Sequence, residues 1–150
     1  MWMMGAQAAE VEVDPGTGHT RIINIGAAND VGKAINPDSC SQQIEGSIVM
    51  GMGSALMEEM IYKEGVLVNG NMVDYKVPTS MDTDFGMKVE LVEQPHPEGP
   101  FGVKGIGEPG LAPTAPSIVN AISAACDHRF SSIPVKPEHI LFLTGGQEKG

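Results

Sequence analysis

Alternating apolar and polar positions predict strands near the start of the chain. Residues 7–14 alternate alanine and valine with glutamate, and residues 19–28 form a second extended apolar segment. The turn-forming sequence of residues 14–18, Asp-Pro-Gly-Thr-Gly, separates the two. This pattern predicts a β-hairpin. A further alternating segment predicts another strand at residues 85–93.

Between these strands the apolar period changes to four residues, which is typical of a helix. From Ile44 to Met60 an apolar residue recurs every fourth position, so we predict a helix over about 39–60, capped by Asp38 or Ser39. Three glycines lie inside it, at positions 46, 51 and 53. Since each glycine costs a helix roughly 1 kcal/mol relative to alanine, they suggest close approach by a ligand or another backbone, or simple packing against a neighbouring element.

The remaining segments complete an α+β interpretation. Residues 62–72 predict a strand and turn, and Thr114 can cap a shorter helix that runs to about residue 127. Residues 133–143 suit short extended or helical pieces. The order of hairpin, long glycine-containing helix, short strands, glycine-rich loop and C-terminal helix predicts one α+β domain over 1–150, frayed at 1–4 and 144–150.

Composition and charge exclude several functional classes. The 150 residues carry a net charge of −10 with only nine lysines and arginines, which argues against nucleic acid as a partner. No apolar run approaches the roughly 20 residues of a membrane span, so we expect a soluble, cytoplasmic protein that does not bind membranes. Two distant cysteines, Cys40 and Cys126, and four scattered histidines predict no metal site built from side chains of this chain.

A glycine-rich loop at residues 99–110 holds the candidate chemistry. Its sequence is Gly-Pro-Phe-Gly-Val-Lys-Gly-Ile-Gly-Glu-Pro-Gly, and Glu108 and Lys104 are its only ionisable side chains. Glycine allows backbone to pass close to a ligand. A carboxylate on such a loop is a candidate general base, because burial raises the affinity of a carboxylate for a proton. The alternative is an ordinary tight loop whose glutamate faces solvent.

Several ordered segments resemble a known family. They are GAQAAEVEVD at 5–14, DVGKAINP at 30–37, QIEG at 43–46 with MGMG at 50–53, DYKVPT at 74–79, and GVKGIGE at 102–108. Together they resemble the C-terminal part of the molybdenum-binding subunit of the molybdenum hydroxylases, the family of xanthine dehydrogenase and aldehyde oxidoreductase. The resemblance extends over about residues 5–143.

The resemblance implies roles for four residues. Glu108 would be the general base beside the molybdenum in the hydroxylation of an N-heterocycle or an aldehyde. Gln43 would contact the molybdopterin-type molybdenum cofactor, while Gly105 and Gly107 would let the backbone approach it. Gln42 stands where many relatives have glycine, which is a departure from the family pattern.

The resemblance also implies partners. The family's molybdenum subunit is several times longer than this chain, and its enzymes carry iron–sulfur clusters and FAD on other domains or subunits. The chain lacks the cysteines and the dinucleotide fingerprint that those groups need. We therefore expect a fragment that is inactive alone and docks on the rest of the enzyme, or forms homo-oligomers when isolated. The alternative is a non-catalytic, partner-binding or self-associating remnant without cofactor.

Overall fold

A mixed sheet with helices packed on it forms the centre of the protein in the computed structural model, which describes residues 3–144. The elements, in chain order, are β1 (Gly5–Val13), β2 (Thr20–Asp30), α1 (Pro37–Leu56), β3 (Tyr62–Lys63), β4 (Val66–Leu67), β5 (Gly86–Val92), α2 (Thr114–Ala125) and α3 (Pro137–Thr144). This arrangement confirms the predicted α+β class. Of the termini expected to fray, only residues 3, 4 and 144 are among those described.

The predicted hairpin is present and forms two strands of a three-stranded sheet. β1 and β2 pair antiparallel, from Gly5 opposite Asn29 to Val13 opposite Thr20. β5 adds to the free edge of β2 in the parallel direction, so the strand order is β1-β2-β5. The strand predicted at 85–93 is therefore also confirmed. A parallel neighbour requires a long crossover connection. Helix α1 and the segment after it, which follow β2 and precede β5 in the sequence, form this connection.

Helix α1 begins earlier and ends earlier than the pattern predicts. Asn36 is the N-cap, since its side-chain oxygen accepts from the Ser39 N–H at 3.1 Å, and Pro37 occupies the first turn. The predicted cap at Asp38 or Ser39 is therefore wrong, because Pro37, whose φ is fixed, is the first helical residue and the cap is the residue before it. At the other end the Gly53 carbonyl accepts from the N–H groups of residues 57 and 58, and the helix stops at Leu56 rather than near 60.

Helix α2 crosses α1 where one of the predicted close approaches occurs. A Cβ on Gly51 would lie 2.4 Å from the Cβ of Thr114, so only glycine permits this contact. A Cβ on Gly46, by contrast, would meet no atom of the protein within 4 Å. Thr114 is fully buried and is the first residue of α2, whose N-cap is Pro113. The prediction that Thr114 caps this helix is therefore wrong.

The core lies between the sheet and the helices. α1 packs on α2 and β5, and α2 packs on β1. Isoleucine dominates this core, whose buried apolar members are Ile22, Ile25, Ala27, Ile44, Ile48, Met52, Ala55, Ile118, Ile122, Val135 and Ile140. No helix within residues 3–144 has both the length and the apolar character needed to cross a membrane.

Residues 60–77, which we call the arm, leave the core after α1. The arm contains the two-residue strands β3 and β4, joined by a turn in which Glu64 and Gly65 both have positive φ. Its base is fixed by Asn69, whose side chain accepts from the Ile61 N–H at 2.8 Å and donates to the Glu59 carbonyl at 2.7 Å. Nine large apolar side chains of the arm are exposed: Met60, Ile61, Tyr62, Val66, Leu67, Val68, Met72, Val73 and Val77.

Candidate active site

The start of helix α1 meets the glycine-rich loop directly. The Nε2 of Gln43 donates a hydrogen bond to the carbonyl oxygen of Gly107 at 2.7 Å. Gln43 and Gly107 are separated by 64 residues in the sequence, yet they are joined in space, and Glu108 follows at the next position. The structure thus brings together three of the four residues that the resemblance singles out, and Gly105 lies on the same loop.

The loop is tied to the end of β2 where it begins. The Gly102 carbonyl accepts from the Lys33 N–H at 2.9 Å, and the Val31 carbonyl accepts from the Lys104 N–H at 3.1 Å. Gly32 has a φ of +65° here, and a Cβ on it would lie 2.4 Å from the Gly102 oxygen. A residue with a side chain would therefore be strained and would push the loop away.

A buried ion pair adds to this attachment. The Lys104 ammonium contacts Asp30 Oδ2, and the two side chains are 8% and 5% exposed. The hydrogen bond from Lys104 lowers the pKa of Asp30 below its usual value, with help from the N–H groups of Gly32 and Gln94, while burial acts in the opposite direction. Asp30 therefore carries its negative charge at neutral pH, opposite the lysine.

A second polar cluster holds the loop where it ends. The Gly110 carbonyl accepts from Gln7 Nε2 at 2.7 Å, and the Thr114 hydroxyl lies 2.7 Å from Gln7 Oε1 and 2.9 Å from the Gly110 carbonyl. A Cβ on Gly110 would approach the Ser47 Cβ to 3.0 Å. The end of the loop at Gly110 is thus held near α1 by contacts to β1, α1 and α2.

An open cleft of about 400 Å³ lies between the start of α1 and the loop. Residues from both sides line it, among them Asn36, Ser39, Cys40, Gln43, Ile106 and Gly107. A Cβ on Gly107 would meet no protein atom within 4 Å, so the packing of this chain does not require glycine at that position. For Gly105 the nearest atom within 4 Å of such a Cβ is the Met3 sulfur, at 3.8 Å.

Glu108 is exposed in this chain. Its backbone carbonyl accepts from the Leu111 N–H at 2.9 Å, which fixes the turn that leads into α2. The apolar burial that would suit a general base is therefore not provided by residues 3–144. Those residues also contain no cluster of three or more His, Cys, Asp or Glu side chains able to hold a metal ion.

Comparison with known proteins identifies the family. The family model described as "Molybdopterin cofactor-binding domain" matches residues 1–84, more than half of the chain. The chain belongs to the molybdopterin cofactor-binding domain family. The matched region includes Gln43 and the Asp30 end of β2, while the loop with Glu108 lies beyond it.

The proteins that this molybdopterin cofactor-binding domain matches are much longer than the chain itself. It is 34% identical over 151 residues to the nicotine 6-hydroxylase large subunit of Paenarthrobacter nicotinovorans, covering 97% of this chain and 18% of that protein. It is 37% identical over 122 residues to a putative xanthine dehydrogenase molybdenum-binding subunit of Escherichia coli, and the match covers 80% of this chain and 16% of that protein. The crystal structure of quinoline 2-oxidoreductase from Pseudomonas putida 86 matches with a TM-score of 0.82 and 35% sequence identity. The match covers 93% of this chain and 18% of that one. The chain thus spans less than a fifth of each.

The sequence reasoning missed the contacts that hold this domain's loop in place. It left Lys104 without a role and did not connect it to Asp30 at the end of β2. It also gave Gln7 no function, although Gln7 joins β1 to the end of the loop. A usable signal existed for the ion pair, because each charge lies in a segment that is otherwise apolar or rich in glycine. Pairing two such charges 74 residues apart nevertheless requires the topology.

Proposed function

We propose that this chain forms the part of a molybdenum hydroxylase that bears the general base, Glu108, and a cofactor contact, Gln43. The enzyme would hydroxylate an N-heterocycle or an aldehyde. The observation that supports the proposal is the hydrogen bond from Gln43 to the Gly107 carbonyl, since both residues line one cleft and Glu108 follows Gly107 in the chain. Nicotine and quinoline, named in two of the relatives, are N-heterocycles.

The cleft has features that fit a molybdopterin-type cofactor. Gln43 uses its Nε2 on the loop, which leaves its Oε1 as an acceptor for a pterin ring. The space in front of Gly107 is open, and Asn36, Ser39 and Cys40 at the start of α1 line the same cleft. When bound, this cofactor supplies the oxidation–reduction chemistry of the reaction.

Glu108 contributes proton transfer. A carboxylate that accepts a proton during hydroxylation gains more from a fixed position than from strong intrinsic basicity. The loop meets that requirement, since it is attached at Gly102, at Lys104, at Gly107 and at Gly110. Glu108 is exposed in this chain, so the exclusion of water from its carboxylate is a task for the rest of the enzyme.

The remainder of the molybdenum subunit is the partner that the structure supports best. The chain spans less than a fifth of its relatives, and the arm exposes nine large apolar side chains that the core of this chain does not cover. An apolar surface of this kind marks an interface. Iron–sulfur clusters and FAD belong to other domains or subunits of the same cytoplasmic complex. The isolated chain is inactive and can form homo-oligomers.

The exposed arm also favours a second candidate function. A partner-binding or self-associating module without cofactor would keep the arm and would have no use for Glu108. This module and the hydroxylase fragment differ in what they bind. The test is to purify the complex from the native host and measure its molybdenum and pterin. A hydroxylase fragment predicts both in proportion to the chain, whereas the module without cofactor predicts neither.

Replacing the carboxylate tests the catalytic role. Glu108→Gln should lower hydroxylation by the complex at least about 100-fold, the low end of the range for loss of a general base, with molybdenum content unchanged. Glu98→Gln is the matched control, because Glu98 is also exposed and lies ten residues earlier in the chain. Retention of activity by Glu108→Gln would refute the proposed role.

A further inference from the structure

One ion pair differs from the others in its burial. The Lys104–Asp30 pair has side chains that are 8% and 5% exposed, whereas both partners are at least 32% exposed in the other three ion pairs among residues 3–144. Exposed pairs contribute little to stability. A buried pair is costly to form, because both charges lose water, and replacing it with apolar residues is often neutral or stabilising. Its presence therefore calls for a reason other than stability.

The carboxylate of Asp30 joins three segments of the chain. Its Oδ2 contacts the Lys104 ammonium, and its Oδ1 accepts from the Gly32 N–H at 3.0 Å and the Gln94 N–H at 3.4 Å. The Lys104 N–H also donates to the Val31 carbonyl at 3.1 Å. Lys104 is thus fixed through its backbone and its side chain, at the last point before the loop leaves β2.

The segment that follows contains no ion pair of its own among the described residues. Residues 105–108 include Gly105 and Gly107, and three contacts hold this stretch: the bond from Gln43 to the Gly107 carbonyl, the packing of Ile106 against the core, and the bond from the Leu111 N–H to the Glu108 carbonyl. Glycine in these positions gives the backbone wide freedom. The position of Glu108 is therefore set by Gln43 from α1, by the cluster on Gly110 two residues downstream, and by the buried ion pair four residues upstream.

We propose that Lys104 and Asp30 are positioning residues that hold the loop, and with it Glu108, in its working geometry. This inference rests on the proposed function of Glu108. Lys104 lines the cleft, but its ammonium contacts Asp30. The pair acts through the loop, and its contribution is the directed attachment that an apolar replacement of the same size would not supply.

The test uses the double variant Asp30→Asn/Lys104→Met, which removes both charges and so leaves no buried charge without a partner. The introduced asparagine keeps a side-chain oxygen that can accept from the Gly32 and Gln94 N–H groups. Arg21→Met is the matched control, because it removes a cation from the Arg21–Glu12 pair, whose side chains are 64% and 67% exposed. Two readouts are needed: amide hydrogen exchange in the full chain, and kcat and KM per molybdenum in the assembled enzyme.

In the double variant we expect faster exchange at residues 104–108 with unchanged protection in the core strands. We also expect kcat to fall about 100-fold, the order of loss for a displacement near 1 Å, with KM nearly unchanged. Arg21→Met should match the wild type in both readouts. A purely structural role would instead lower the amount of folded, loaded enzyme without changing kcat per molybdenum.

Two results would overturn the inference: unchanged exchange at residues 104–108, or faster exchange with kcat within about twofold of wild type. Failure of the proposed function is separately visible, because Glu108→Gln would then retain activity in the same assay. The exchange measurement would in that case still decide whether the ion pair positions the loop.

Discussion

The glycine-rich loop at residues 99–110 and the arm at residues 60–77 differ in how well this chain fixes and covers them, and the difference is the reverse of what their compositions suggest. The loop has few side chains to bury, yet polar contacts to β1, β2, α1 and α2 hold it in one position. The arm is rich in large apolar residues, yet nine of them are exposed. Apolar side chains stabilise a fold only where a surface exists to cover them. The loop is therefore held by contacts within this chain, whereas these nine apolar side chains of the arm are left uncovered by the described residues.

The largest expected effect on folding comes from breaking the attachment of the loop at Gly32. Gly32→Ala places a methyl group 2.4 Å from the Gly102 carbonyl oxygen, at a φ of +65° that alanine rarely adopts. We expect the free energy of unfolding to fall by about 2–4 kcal/mol, since backbone strain and overpacking each cost on the order of 1–3 kcal/mol. Denaturant titration measures this as a lower midpoint with an unchanged slope.

Gly107→Ala is the control on the same loop. A Cβ there meets no protein atom within 4 Å, so the stability should change by no more than about 0.5 kcal/mol. Cofactor content of the assembled enzyme should fall instead, because the methyl group would occupy the cleft. Equal loss of stability in the two variants would show that the loop is not specifically attached at Gly32.

A smaller effect is expected from acid, through the ion pair that holds the loop. The pKa of Asp30 is lowered in the folded protein, first by the hydrogen bond from Lys104. A lowered folded pKa contributes stability that is present above the unfolded value of 3.8 and is lost as pH falls through the folded pKa. The free-energy difference between wild type and Asp30→Asn/Lys104→Met should therefore stay constant near neutral pH.

Below 3.8 this difference should shift against the wild type. The measurement is urea unfolding at a series of pH values, with Arg21→Met as the control for an exposed pair. Parallel curves for wild type and the double variant down to the acid limit would mean that Asp30 and Lys104 do not interact in solution.

The contrast between loop and arm also explains how far the sequence could be interpreted. Strands β1, β2 and β5 and helix α1 follow from local periodicity, because each presents one apolar face to the core. The resemblance assigned Gln43 and Gly107 to one cofactor site, but neither it nor any local pattern predicted the hydrogen bond that joins them. The Lys104–Asp30 pair was missed because it depends on β2 ending beside the loop, which is a property of the topology.

The smallest effect on folding is expected in the arm. Met72→Ser/Val73→Ser changes side chains that are 70% and 74% exposed, so the stability of the isolated chain should change by no more than about 0.5 kcal/mol. Association should respond strongly, because an interface loses the burial of two large apolar side chains. We expect the affinity for the remainder of the molybdenum subunit, or self-association of the isolated chain, to fall by at least about tenfold, measured by sedimentation. Lys63→Ser, on the same arm, should leave both unchanged, since it removes a polar side chain instead. If Lys63→Ser weakened association as much as the double variant, the apolar character of the arm would not be what the partner recognises.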